Sequence, residues 1–326
     1  IFGSLQHLFN LNVIEDMQPL VKITALTKQF GHLTAVDHLS FSVEPASVYG
    51  FLGQNGAGKS TTIRMLTGLI MPTSGEIEIF GLSLAKHKKE ILQQVGAVIE
   101  KPDVYQYLSA YDNLQLFARL SGIRPTRVSL MDQLAQVGLA ERAKDKVAGF
   151  SQGMKQRLGI AIALVHQPQL IILDEPTNGL DPQGIADIRH LIIHLRTEMK
   201  KTVIVSSHLL SEIEQVATQL LIIHKGKKVK EGNASELFDP AQTVVQLSTE
   251  QNESAWAVLQ NSDWQPNLER ITSEGIILKV DRRQIPALHQ SLVQLQIPLI
   301  SLQPRHSLED YFLQVTTPGY VDTLSN

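Results

Sequence analysis

SVYGFLGQNGAGKS, residues 47–60, decides the fold. Its first six residues are apolar enough for a strand buried on both faces. The last eight fit G-x-x-x-x-G-K-[S/T]. Gly53, Gly56 and Gly58 allow backbone N–H groups to converge on an anion without Cβ obstruction. The helix expected behind them turns its positive end toward that anion. In such a loop Lys59 reaches the β- and γ-phosphates of a nucleotide, and the Ser60 hydroxyl binds Mg²⁺. Asn55, Ala57 and Thr61 complete the loop and its first helical turn. A strand–loop–helix cradle of this kind implies an α/β domain binding ATP and Mg²⁺.

Two later strands supply further chemistry. LIILDE (170–175) is an apolar run that ends in two carboxylates, which are costly beside a core unless they are used. Asp174 suits the Mg²⁺ shell, and Glu175 suits polarisation of an attacking water. TVIVSS (202–207) is followed by His208. Strand C-termini of a parallel sheet face the ligand crevice, so His208 is expected to donate to the γ-phosphate and orient the water.

Helical patterns alternate with these strands, which predicts a largely parallel sheet with crossover helices. After Asp181 and Pro182, a cap and first-turn pair, Ile185, Ile188, Leu191, Ile192, Leu195 and Met199 share one helical face. His190 and His194 fall on the opposite face, with no third metal ligand evident. Between residues 101 and 165 the strand rhythm gives way to helices, including SAYDNLQLFARLSG (109–122) and MDQLAQVGL (131–139). This reads as a helical subdomain inserted into the α/β domain.

GFSQG (149–153) can be read in two ways. It fits G-x-S-x-G, and Ser151, Asp174 and His208 occur in the Ser…Asp…His order of an α/β-hydrolase. That elbow needs a strand running into the serine, whereas LAERAKDKVA precedes Gly149 and is charged. A serine esterase would also leave the glycine loop and Glu175 without a role. The other reading makes Ser151 the cap of the apolar helix MKQRLGIAIALV, with its hydroxyl and the N–H groups around Gly153 facing an anion.

Together these motifs resemble those of the ATP-binding-cassette (ABC) ATPases, over roughly residues 20–235 and in that family's order. The resemblance implies a P-loop NTPase fold and ATP hydrolysis. It further implies a head-to-tail homodimer in which Ser151 serves the γ-phosphate held on the other copy's P-loop. Phe30, in TKQFG, is similar to the aromatic that stacks on adenine, Asp181 in TNGLDP to the residue at the dimer seam, and His208 to the switch histidine. Two positions depart from the family pattern. FSQGM replaces the usual L-S-G-G-Q, with Gln152 at the first glycine. Glu100 in VIEKP stands where glutamine is usual; a carboxylate can bind Mg²⁺ but donates no hydrogen bond when ionised.

These variants, with GLDPQGI and SLEDYFLQV, are similar to the bacitracin and lantibiotic-immunity branch of bacterial exporters. Those ATPases work with a separate integral-membrane permease, here expected to meet the region around Glu100 and residues 103–122. The implied location is cytoplasmic, peripheral on the inner face of the cell membrane. No apolar run approaches the ~20 residues of a membrane-spanning helix. Absence of cysteine excludes disulfides and thiolate chemistry. A net charge of −3 does not favour nucleic acid, and KHKK (86–89) and KGKKVK (225–230) read as solvated turns. A soluble ABC ATPase of DNA repair or translation is the alternative; it needs long heptads or a second P-loop, and the sequence shows neither.

The ABC domain is expected over residues 17–238, preceded by an extension over 1–16 that reads as non-native or disordered. After FDPAQ (238–242) the pattern becomes βαββαβ, a ferredoxin-like order, and residues 239–326 read as a small α+β accessory domain. Its last helix, SLEDYFLQV (307–315), opens on the capping-box pattern Ser307-x-x-Asp310.

Overall fold

The computed structural model describes residues 18–238, 243–272, 275–306 and 312. The chain begins with β1 (Val21–Phe30), β2 (Leu33–Val43), β3 (Val48–Leu52), α1 (Lys59–Leu66), β4 (Ser74–Ile79), β5 (Leu82–Ser83), α2 (Leu84–Leu92) and β6 (Val95–Val98). Helices α3 (Ala110–Leu120), α4 (Arg127–Gln136) and α5 (Gln152–Leu164) follow, where the insertion was expected. Next come β7 (Leu170–Leu173), α6 (Pro182–Thr197), β8 (Thr202–Ser207), α7 (Leu210–Glu214), β9 (Gln219–His224), β10 (Lys227–Asn233) and α8 (Ala234–Leu237). The remainder is β11 (Thr243–Thr249), α9 (Asn252–Gln260), β12 (Leu268–Thr272), β13 (Gly275–Lys279), α10 (Ile285–Gln294) and β14 (Leu299–His306).

Three sheets form. A six-stranded sheet has the order β10-β9-β3-β8-β7-β6, with β6–β7 and β7–β8 parallel. All residues of β3, β7 and β8 are buried, as the apolar runs of β3 and β7 predict; in β8 the hydroxyls of Thr202, Ser206 and Ser207 are buried with Val203, Ile204 and Val205. Burying one Leu or Ile of this kind contributes about 1.5–3 kcal/mol. The early strands behave differently. β1, β2, β4 and β5 make a separate antiparallel sheet, ordered β2-β1-β4-β5. Two residues, Gly31 and His32, join β1 to β2, and so short a link permits only an antiparallel hairpin.

The chain divides into two compact units. In the first, described residues 18–49 and 60–205, the inserted helices begin at side-chain caps. Ser109 Oγ accepts from the Asp112 N–H, and Thr126 and Ser129 form a reciprocal capping box. Buried Asn113 ties the preceding loop to α3, accepting from the Tyr105 N–H and donating to the Tyr105 and Ser109 carbonyls. Asp181 caps α6 through Gly184 N–H with Pro182 next, and Ile188, Leu191, Ile192 and Leu195 are buried while His190 and His194 are exposed.

The second unit comprises residues 50–59 and the described residues from 206 onward. Its four-stranded antiparallel sheet has the order β12-β13-β11-β14, and Val245, Leu247, Ile276 and Leu278 pack with Ala255 and Leu259 of α9 and Leu288 and Leu292 of α10. The βαββαβ order is as expected. Most of the FDPAQ linker, and the SLEDYFLQV helix apart from Phe312, lie outside the described residues, as do residues 1–17.

Candidate nucleotide site

The loop between β3 and α1 is a turn of N–H groups held open by backbone geometry. Gly56 and Gly58 are left-handed, with φ of 80° and 108°. A Cβ at Gly56 would meet nothing, so its left-handed backbone rather than crowding is what favours glycine there. Gly53 serves the opposite purpose. A Cβ there would sit 2.6 Å from the Ile223 carbonyl oxygen, so only glycine lets the loop lie against β9. Gly53 N–H also donates to the Ser207 carbonyl at 3.3 Å, which fastens the loop to the end of β8, one residue before His208. Lys59 is 5% exposed, and its ammonium donates to the Gly53 and Gln54 carbonyls at 2.6 and 3.2 Å. A buried cation is therefore held inside the loop at the start of α1.

His208 itself is half-buried. The turn that carries it is fixed by Ser207, whose Oγ donates to Glu212 Oε2 at 2.6 Å and accepts from Leu209 N–H at 3.0 Å.

Within the first unit, Ser60, Glu100, Asp174 and Glu175 line one cavity of about 870 Å³, together with Gln152, Gln156, Asn178 and Gly179. Asp174 is 2% exposed, and its N–H bonds to the Val98 carbonyl at 2.9 Å, continuing the β6–β7 register. Glu175 has a φ of 49°, which is unusual for a side-chain-bearing residue and turns the chain sharply at the strand end. Glu100 is also left-handed, at 60°, and its carboxylate pairs with the Arg64 guanidinium of α1. Nothing in the sequence signalled that partner, because the two residues lie 36 positions apart.

Ser151 resolves its two readings. Its Oγ accepts from Met154 N–H at 3.2 Å, and it stands as the cap of α5 with φ −62° and ψ 165°. A nucleophile elbow requires a strained strand-to-helix turn; here the preceding Val147–Gly149 is a single 3₁₀ turn and the serine is relaxed. The esterase reading therefore fails on local geometry. Ser151 and Gly153 do not line the cavity. Gly153 lies beside the start of α6, its Cβ position 3.9 Å from Gly184 Cα. Gln152, the departure from the usual signature, donates its amide to the Asn178 carbonyl at 3.2 Å and so ties the start of α5 to the turn that precedes α6. Phe30 stands at the end of β1, 49% exposed, with the Lys28 ammonium 5.0 Å from its ring centre.

The oxygen donors Ser60, Asp174 and Glu100 suit a hard cation. Among the described residues no three His, Asp or Glu side chains form a metal cluster. Such a cation must draw remaining ligands from phosphate and water, as Mg²⁺ does.

Comparison with known proteins decides the family. An ABC transporter profile matches residues 36–178. The bacitracin transport ATP-binding protein BcrA of Bacillus licheniformis is 43% identical over 309 residues, 94% of this chain and 100% of that protein. The chain belongs to the ABC transporter ATP-binding proteins. The lantibiotic transport ATP-binding protein SrtF of Streptococcus pyogenes is 41% identical over 68% of this chain and 96% of its own length. Among solved structures, cbiO1 of Clostridium perfringens, part of the transporter complex cbiONQ, aligns with a TM-score of 0.62 at 25% identity over 68% of this chain and 90% of its own. The ATP-binding cassette MJ0796, dimeric in a post-hydrolysis state with ADP and Pi, aligns with a TM-score of 0.60 at 25% identity, over 66% of this chain and 98% of its own. The protein is thus the nucleotide-binding ATPase subunit of a bacterial ABC transporter, of a kind that dimerises and works with a membrane permease. Among the described residues no helix is long and apolar enough to cross a membrane.

Proposed function

We propose that this subunit powers an exporter of the bacitracin or lantibiotic type. The observation that carries the reading is the 43% identity to a bacitracin transport protein along the whole of that relative. In this reading the Gly53–Ser60 loop, with Asn55, Ala57 and Thr61, binds the phosphates of ATP, and Phe30 stacks on adenine. Ser60, Asp174 and Glu100 hold Mg²⁺, whose charge offsets that of the β- and γ-phosphates. Glu175 takes a proton from the attacking water and His208 orients it toward the γ-phosphate. Two copies close head to tail, so that Ser151 and Gly153 of one meet the nucleotide of the other and Asp181 stands at the seam. The Ser151 cap supports this arrangement, because it is exposed and does not line the cavity of its own chain.

The permease would dock on an apolar groove of about 230 Å³ lined by Val98, Pro102, Val104, Phe117 and Ile162. Tyr105 and Tyr107 are exposed at 41% and 69%, and Tyr107 packs edge-on against Tyr105. Lys101, Pro102, Asp103 and Val104 line both this groove and the catalytic cavity, so one segment connects the two. In this reading the subunit sits on the inner membrane face through its permease.

The test is expression of the subunit with its permease in a sensitive bacterium. Tolerance of bacitracin or a lantibiotic should rise, and should not rise with Glu175→Gln. Unchanged tolerance of both compound classes, with ATPase activity intact, would contradict the export reading.

A further inference from the structure

The β9–β10 hairpin belongs to the same unit as the glycine loop and is fastened to it. Gly226 N–H donates to the Ala57 carbonyl at 2.9 Å, and Gly53 lies against the Ile223 carbonyl. The hairpin closes through two residues, Lys225 and Gly226, with His224 paired to Lys227. Both are left-handed, with φ of 48° and 78°. That is type I′ geometry, for which Asn-Gly is the favoured pair, and a lysine in the first position is conformationally costly. Phe80–Gly81 closes its hairpin in the same geometry, so the strain alone assigns no role and a second observation is needed.

Charge supplies one. Lys225 is exposed, and among the described residues its ammonium has no hydrogen-bond or ion-pair partner. Its neighbour Lys228 is engaged by Glu231 at 2.7 Å. Burial, and then the Lys225 charge, hold the His224 imidazole below its ordinary pKa. At neutral pH the turn therefore carries its free positive charge on Lys225 rather than on His224.

We propose that Lys225 is a second phosphate-attracting cation of the glycine loop, delivered by the β9–β10 turn and favouring nucleotides with a polyphosphate tail. The inference rests on the reading of residues 53–60 as the nucleotide cradle. Lys59 acts from inside the loop by direct bonds; Lys225 acts from its rim through the field, which is weaker and screened by salt.

The test is calorimetric titration of the full chain with ATP, ADP and adenosine at low salt and at about 0.5 M salt, where screening is short-ranged. Lys225→Asn installs the residue that the turn prefers, so its melting temperature should equal or exceed that of the parent. Its ATP dissociation constant should rise about fivefold to tenfold at low salt, with the difference shrinking at high salt and absent for adenosine. Lys225→Arg should restore affinity, and Lys228→Asn should leave it unchanged. An unaltered ATP affinity in Lys225→Asn, while Lys59→Ala abolishes binding, would overturn this inference alone. Normal ATP affinity in Lys59→Ala would overturn the cradle reading beneath it.

Discussion

Two turns in this protein carry serine among glycines, and they are built on opposite plans. The 53–60 loop is closed inward: Gly56 and Gly58 take conformations other residues avoid, Gly53 admits no side chain, and Lys59 is buried in the loop it serves. The 149–153 turn is relaxed and faces outward, its serine exposed and capping its own helix. In the proposed reading the inward turn is an anion site complete within the chain, and the outward turn is half of a composite site that a second copy completes.

The largest expected effect falls on the inward turn. Lys59→Ala removes the charge inside the loop, and ATP binding measured by calorimetry should fall by about a hundredfold or more, the scale of losing a charge-assisted contact in a buried site; retention of affinity would break the comparison at its stronger end. Glu175→Gln should keep ATP affinity but lower turnover by about 10²–10⁴. It should also accumulate ATP-bound dimers in size-exclusion chromatography, and ordinary turnover would remove Glu175 from its role. A smaller effect is expected for Phe30→Ala, which takes away stacking on the base and should weaken ATP binding by about 1–3 kcal/mol while leaving affinity for inorganic triphosphate unchanged.

The smallest prediction concerns the helix behind the outward turn. His166 lies just beyond the C-terminus of α5 and donates from Nε2 to the Val95 carbonyl at 3.1 Å, while buried Nδ1 has no partner. Desolvation lowers its pKa from the ordinary value near 6.5, and the Val95 bond opposes that shift only in part. The unfolded chain then binds more protons than the folded one, so stability is full above about pH 6.5 and declines as the pH falls through the lowered value. The melting temperature should drop between about pH 7 and pH 5, and by less in His166→Gln. An equal drop in both proteins would assign the acid sensitivity elsewhere.

What could be read in the sequence followed the range of the interaction. The glycine loop, the buried strands and the caps Ser109, Ser151 and Asp181 are encoded within a few residues, and the structure has each in place. The βαββαβ order was also legible, because each strand and helix has its own periodicity. The separate antiparallel sheet was not, since period-two patterning marks a strand without naming its neighbour. The Arg64–Glu100 pair and the Gln152–Asn178 bond escaped notice for the same reason: they join positions distant along the chain. At Gln152 the departure from the usual glycine gains a role that only the fold reveals.

The claim on which the account turns is that Ser151 completes a nucleotide site it does not own. A chain carrying Lys59→Ala and a differently tagged chain carrying Ser151→Ala, both with Glu175→Gln, should be mixed, purified through both tags and assayed for trapped ATP. One trapped nucleotide per mixed dimer is predicted, with none in either variant alone. Trapping by the Ser151→Ala chain alone, at the level of its Glu175→Gln parent, would contradict the account.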